Sequence, residues 1–238
     1  MTSEILVALG AQETLVGAAP LVDGGPEVVA ACANVPKVGG LESIALAKPD
    51  LVVAYAIVER SEPHLFAALR DQGIEVRIFD PQTPEEIIET IRELGQLSGR
   101  AQVAQRLVAD FAARLNALAG LLHGKRYFVF DCCDPPLSAG RRSSLASALQ
   151  HAGAVNIFAD LDVQWSRVAW EEVWRRRPEF IILTDYEASS TAAKRLVLRR
   201  DPVLAELPIV TLNLREALAG PQLIHGIEKV VATIGGPA

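Results

Sequence analysis

The sequence predicts an α/β protein of two small parallel-sheet lobes joined by one long helix. Three observations carry this: apolar runs of buried-strand type alternating with amphipathic segments, a long helical stretch in the middle, and the same alternation resuming after it. The central stretch begins at Thr83-Pro84-Glu85-Glu86, with Thr83 as N-cap, Pro84 at the first helical position and Glu86 closing a capping box. Ile87, Ile88, Ile91 and Leu94 share one face, and Gly95 and Ser98-Gly99 loosen the chain. Val103, Leu107, Phe111, Leu115, Leu118 and Leu122 then recur at steps of three and four, giving one apolar stripe. The expected organisation is an N-terminal lobe over 1–98, a backbone helix over 99–123 and a C-terminal lobe over 124–238.

In the first lobe, Ser3 caps a short helix from Glu4 to Leu9 that stops at Gly10. Thr14 to Gly17 reads as a strand, Asp23 to Pro26 as a turn and Pro36 to Gly40 as a loop. Leu41 to Ala47 is a helix halted before Pro49, and Leu51 to Tyr55 is a wholly apolar strand. A helix over Glu62–Asp71 and a strand over Glu75–Phe79 complete the lobe. In the second, Arg126 to Phe130 is a strand, Asp131 to Arg142 a loop, and Ser143 or Ser144 caps a helix to His151. Short extended pieces over 155–157 and 165–168, a helix over Trp170–Arg176, a strand over Phe180–Leu183, a helix over Thr191–Arg200 and a strand over Ile209–Leu212 lead to a closing helix over Pro221–Ile234. The lobes echo each other: helix, proline turn (Pro49, Pro178), buried strand, and a tyrosine (Tyr55, Tyr186) just past the carboxyl end, where open α/β sheets bind ligands.

At 238 residues, half of them hydrophobic, the chain can bury a sizeable core, and a net charge of -6 argues against nucleic acid as partner. Cys32, Cys132 and Cys133 form no disulfide framework and read as buried, unreactive thiols. Met1-Thr2-Ser3-Glu4 leads straight into a helix with no basic segment ahead of it. The expectation is therefore a cytosolic protein or a mature or trimmed chain. There is no Gly-x-Ser-x-Gly elbow and no phosphate-binding loop, and His64, His123, His151 and His225 are scattered. No catalytic residue and no metal-ligating set emerges. Tyr55, Trp165 and Tyr186, with Arg141 and Arg142 after Gly140, instead suit a flat or anionic ligand.

These pieces together resemble a known family. Thr2-Ser3-Glu4-Ile5-Leu6 with Ala8-Leu9-Gly10, Pro36-Lys37-Val38-Gly39-Gly40 followed by Leu41-Glu42, and Lys48-Pro49-Asp50-Leu51-Val52 stand in that family's order. So do Leu145 to Asn156, Trp170-Glu171-Glu172-Val173, Asp185-Tyr186 and Gly220-Pro221. The chain resembles the substrate-binding proteins of ABC importers for iron-siderophores, haem and cobalamin. The resemblance covers nearly the whole chain. Departing from the family, it has no strand ahead of Thr2, and short stretches after Gly40 and Pro208 are missing.

The resemblance implies a monomeric carrier, not an enzyme, that takes a metal chelate between its lobes with little closure and hands it to permease subunits. A ferric siderophore is the first expectation; a corrinoid or haem is the alternative, haem needing an axial ligand that no histidine here supplies. No cofactor is covalently bound. The implied ligand-binding residues are Gly39, Gly40, Tyr55, Arg141, Arg142, Trp165 and Tyr186, and the implied permease-docking residues are Glu62 and Glu216. The implied location is periplasmic or attached outside the membrane. The rival from another class is a cytosolic α/β ligand sensor or enzyme.

Overall fold

The computed structural model describes residues 1–20, 25–186 and 190–236. The chain divides into two compact units, Met1–Pro81 with Ile88–Ala109, and Gln82–Ile87 with Asp110–Ala238. Each holds a parallel sheet.

In the first unit, α1 (Thr2–Ala8) buries Ile5 and Leu6 and starts directly after Met1, which makes no side-chain cap, so Ser3 lies inside the helix. No strand forms over Thr14–Gly17. Thr14 turns its backbone N–H and its hydroxyl onto the Ala11 carbonyl, closing a 3₁₀ turn over Gln12–Thr14, and only Ala18 makes a β-bridge, to Lys37. α2 (Pro26–Ala31) begins where a turn was expected, with Pro26 preset for the first helical position; Asp23 and Gly24 of that turn lie outside the described residues. α3 (Leu41–Ala47) ends at Lys48, a left-handed residue ahead of Pro49. β1 (Leu51–Tyr55) runs into an unforeseen short helix, α4 (Ala56–Ser61), then α5 (Pro63–Asp71) and β2 (Glu75–Phe79). β1 and β2 pair in parallel from Leu51↔Glu75 to Tyr55↔Phe79 over a core of Ala54, Phe66 and Leu69. Leu51, Val52 and Val53 are only half-buried, because among the described residues β1 has a strand partner on one side alone.

Two helices carry the chain between the units. α6 (Pro84–Leu97) begins in the second unit and continues in the first; α7 (Ala101–Ala117) does the reverse, passing over after Ala109. The expected cap of α6 is present: Glu86 N–H donates to Thr83 Oγ1 at 3.2 Å. Its carboxylate reaches back one residue further than a standard box, accepting from Gln82 N–H at 2.6 Å. Gly95 is not a loose point. It lies inside α6, where a Cβ would stand 2.3 Å from the Ala104 Cβ, so its bare backbone lets α7 pack close.

The long helix is shorter than its apolar stripe foretold. It stops at Ala117, because the next segment turns to pair with the end of another helix. The N–H groups of Gly120, Leu122 and Gly124 donate to the carbonyls of His151, Ala152 and Gly153. Leu118 and Leu122 thus leave the stripe, and Leu122 is fully buried in the turn.

The second unit contains β3 (Arg126–Phe130), β4 (Leu137–Ala139), α8 (Ser144–His151), β5 (Val155–Asn156), β6 (Trp165–Arg167) and α9 (Trp170–Arg176). β7 (Phe180–Asp185), α10 (Thr191–Leu198), α11 (Pro202–Ala205), β8 (Ile209–Asn213), α12 (Leu214–Ala217) and α13 (Leu223–Ile234) follow. The main sheet is all parallel, in the order β5-β3-β7-β8. Both its faces are covered: Phe128, Phe130, Ile181 and Leu183 pack with Phe158 and Val173 on one side, and their neighbours Tyr127, Val129 and Ile182 are equally buried. Ser143 caps α8. The expected loop Asp131–Arg142 holds β4, which pairs antiparallel with β6. α9 ends as α3 does, at a left-handed Arg177 before Pro178. No described helix is long and apolar enough to cross a membrane.

Candidate functional site

The second unit places a polar cluster at the carboxyl ends of β3 and β7, which lie side by side. Asp131, the first residue past β3, is 8% exposed. Its Oδ1 accepts the Thr184 hydroxyl at 2.6 Å and its Oδ2 accepts the Tyr186 hydroxyl at 3.0 Å. Lys194 is 4% exposed and shares the inner face of α10 with Leu198, one turn on. Its ammonium donates to the Thr184 carbonyl and, at 3.3 Å, to Thr184 Oγ1, and it stands 5.1 Å from the centre of the Tyr186 ring. Burial pushes the Lys194 amine down; the carboxylates of Asp131 and Asp185 oppose that and favour the charged form. Of these groups only Tyr186 was anticipated. The available signal for Lys194 was its spacing of four from Leu198.

Arg141, Arg142 and Trp165 are held in one local strip. Trp165 pairs with Ala139, and the N–H groups of Gly140, Arg141 and Arg142 donate to the carbonyls of Gln164, Leu161 and Val163 at 2.9, 3.0 and 3.1 Å. Asn156 supports the strip from behind through Ala139. The arginines differ in setting. Arg141 faces Asp162 at 3.0 Å, both of them exposed, whereas Arg142 donates to the neutral Gln82 amide at 2.8 Å. Arg142 has no carboxylate partner among the described residues, so its charge remains available to an anion.

The cysteines of this rim are not thiols. Cys132 and Cys133, directly after Asp131, are joined to each other in a disulfide, with their Cα atoms 3.7 Å apart. Cys32, in the first unit, is a buried free thiol, as expected.

In the first unit, Gly39 and Gly40 donate their N–H groups to the Ser43 hydroxyl at 3.1 and 3.2 Å, at the start of α3. Gly39 borders a largely apolar cavity of about 280 Å³ walled by Val16, Leu51 and Val53, and Glu62 stands at the same cavity. Tyr55 is 7% exposed, near Glu4, itself buried. Burial first, and then that carboxylate, push the phenol's pKa up, so it stays neutral. The surface past β1 is instead apolar, with Ile57 and Val58 exposed. Tyr55 and Tyr186 thus share a position in the repeat and differ in surroundings.

The two glutamates also differ. Glu62 is exposed, and its carboxylate has no partner among the described residues. The Glu216 side chain is 17% exposed, accepts the Asn213 N–H at 2.9 Å to cap α12, and pairs with Lys229 at 3.3 Å. Among the described residues no three His, Cys, Asp or Glu side chains cluster as a metal site.

The model of a periplasmic binding protein family matches residues 2–211. The vitamin B12-binding protein of Salmonella typhimurium is 32% identical over 205 residues, spanning 80% of this chain and 73% of that protein. The crystal structure of a periplasmic binding protein from Veillonella parvula superposes with a TM-score of 0.85 at 23% identity, covering 99% of this chain and 88% of that one. A periplasmic haem-binding protein solved with two haems superposes at 0.79 with 22% identity, covering 98% and 94%; at these identities the likeness is one of fold.

Proposed function

The chain belongs to the periplasmic binding protein family, and on that premise we propose that it captures a metal chelate outside the inner membrane and delivers it to the permease of an ABC importer. It is a carrier and not an enzyme. The observation that carries the choice of solute class is the second unit's rim, where the faces of Trp165 and Tyr186 and the acid-free Arg142 stand on strand ends and their connecting strip. Aromatic faces and one available guanidinium suit a broad, partly flat ligand with an anionic group.

Among chelates, a corrinoid has the support of relatives named for vitamin B12. A ferric siderophore is the second reading, favoured by the available guanidinium of Arg142. Gly39 and Gly40 supply the first unit's contacts in this reading, with Tyr55 acting from within the core. Glu62 has the unengaged carboxylate that docking onto a permease arginine needs; Glu216 would first have to release Lys229 and its helix cap.

Tryptophan fluorescence of the purified chain, titrated with cyanocobalamin, haemin and ferric siderophores, tests the proposal. Saturable quenching by one of them at sub-micromolar concentration, lost in Trp165→Phe, is the expected result. Folded protein that responds to none of them refutes it.

A further inference from the structure

We propose that Lys194 and Asp131 are positioning residues for the solute: between them they lock the Tyr186 ring into one orientation at the rim and set the polarity of its face. The inference rests on the reading of Tyr186 as a solute contact.

A lysine that is 4% exposed on the core side of a helix is an expensive way to fill space. A methionine would fill much the same volume with no charge to desolvate. What the ammonium adds is visible in its partners. Among the described residues its hydrogen bonds go to Thr184, whose hydroxyl in turn donates to Asp131. Asp131 uses its other oxygen for the Tyr186 hydroxyl, and the same ammonium lies over the Tyr186 ring at 5.1 Å. Among the described residues the charged groups acting on Lys194 are Asp131 and Asp185. The chain Lys194–Thr184–Asp131–Tyr186 therefore returns to its start, holding the ring at its hydroxyl and on one face.

Two consequences follow for a ligand. A ring held before binding gives its contact area without an ordering cost at the moment of binding. A cation on one face also draws electron density from the ring, so the opposite face is better matched to an electron-rich or anionic surface. The cluster is thus a specificity element as well as a brace.

The test is a double-substitution cycle on the full chain, read as affinity for whichever of cyanocobalamin, haemin or a ferric siderophore quenches the wild-type protein. Lys194→Met is expected to weaken binding about tenfold, the scale of a desolvated cation–ring contact. In a Tyr186→Ala background it is expected to weaken it no further. Equal losses in both backgrounds would make Lys194 a general structural residue and overturn the inference, as would no loss at all while Tyr186→Ala binds poorly. Should Lys194→Met not fold, Tyr186→Phe keeps the ring and removes only the tether. It is expected to lose affinity, and wild-type affinity in that variant beside a weak Tyr186→Ala overturns the tether. Wild-type affinity in Tyr186→Ala refutes the assignment of Tyr186 as a contact, and binding of none of the three ligands refutes the proposed function; the inference falls with either.

Discussion

Replacing Gly140 with alanine probes the strip that carries Arg141, Arg142 and Trp165. Gly140 has no left-handed backbone to preserve, so the effect comes from contact alone. A Cβ there would stand 2.4 Å from the Val163 carbonyl oxygen and 2.9 Å from that of Leu161. An ordinary carbon–oxygen contact needs roughly 3.3–3.6 Å, so the two segments must part by about 1 Å. The three hydrogen bonds between them, 2.9, 3.0 and 3.1 Å long, would then exceed the range in which such bonds hold.

At about 1 kcal/mol net for each bond, less up to 1 kcal/mol gained from the stiffer unfolded chain, the expected loss is about 2 kcal/mol. For a chain of this size that is a fall in Tm of about 4–8 °C. Solute affinity is expected to fall further than stability alone dictates, because Arg142 loses its seat. Differential scanning calorimetry and fluorescence titration of Gly140→Ala read the two effects. A variant with wild-type Tm and wild-type affinity would refute the reasoning, since it would mean that the strip neither packs as tightly as described nor holds the site.

Other expectations concern separate parts of the chain. Arg142→Ala is expected to cost an anionic chelate about tenfold or more in affinity, and Arg141→Ala much less, because Asp162 already answers that charge; isothermal titration decides, and equal losses would refute the distinction. Gly95→Ala gains about 1 kcal/mol in helix propensity but forces a contact of 2.3 Å with Ala104, costing about 1–3 kcal/mol, so urea denaturation should show net destabilisation. Hydrogen bonds from Arg175 and then Arg176 hold the Glu172 carboxyl down to about 2, and Arg176 lowers Asp160 likewise. Carboxyls lowered in the folded state stabilise it above their unfolded pKa and lose that contribution as pH falls. Tm is therefore expected to drop from the usual carboxylate range toward pH ~2, and to drop less in Arg176→Met.

The elements most legible in the sequence were those with a period or a hard stop. α3, β1, β2, β3 and α9 lie where apolar runs and prolines put them, and the family's motifs extended that reading to the whole chain. The short helices α2, α4, α11 and α12 escaped because each is four to six residues long, too short for a 3.6-residue period to show. The long stripe to Leu122 misled because apolar spacing persists through a segment whose backbone hydrogen bonds go elsewhere. β4 escaped because a strand of three residues is set by its pairing, not by pattern, whereas its partner β6 lies where an extended piece was expected. At the site, residue type identified the aromatics and arginines but could not separate Tyr55 from Tyr186: one is enclosed beside Glu4 and the other tethered half-open to Asp131. A lysine within an amphipathic helix reads as solvated, so Lys194 became visible only through its burial, and adjacency gave no reason to bond Cys132 to Cys133.

The boundary between the compact units also constrains how the protein is made. The first unit is assembled from residues 1–81 and 88–109, so a ribosome that has released every strand of its sheet has not yet supplied Ala104 and Val108, both buried. Its folding must wait for the first half of α7. The second unit, in turn, takes in residues 82–87, synthesised long before its own sheet begins at Arg126. A fragment cut near Gly99 would deprive the first unit of buried side chains and leave it carrying the opening turn of α6, which belongs to the second. Expressed alone, the first unit needs a chain that reaches Ala109, and a swap of units between relatives calls for three junctions, not one.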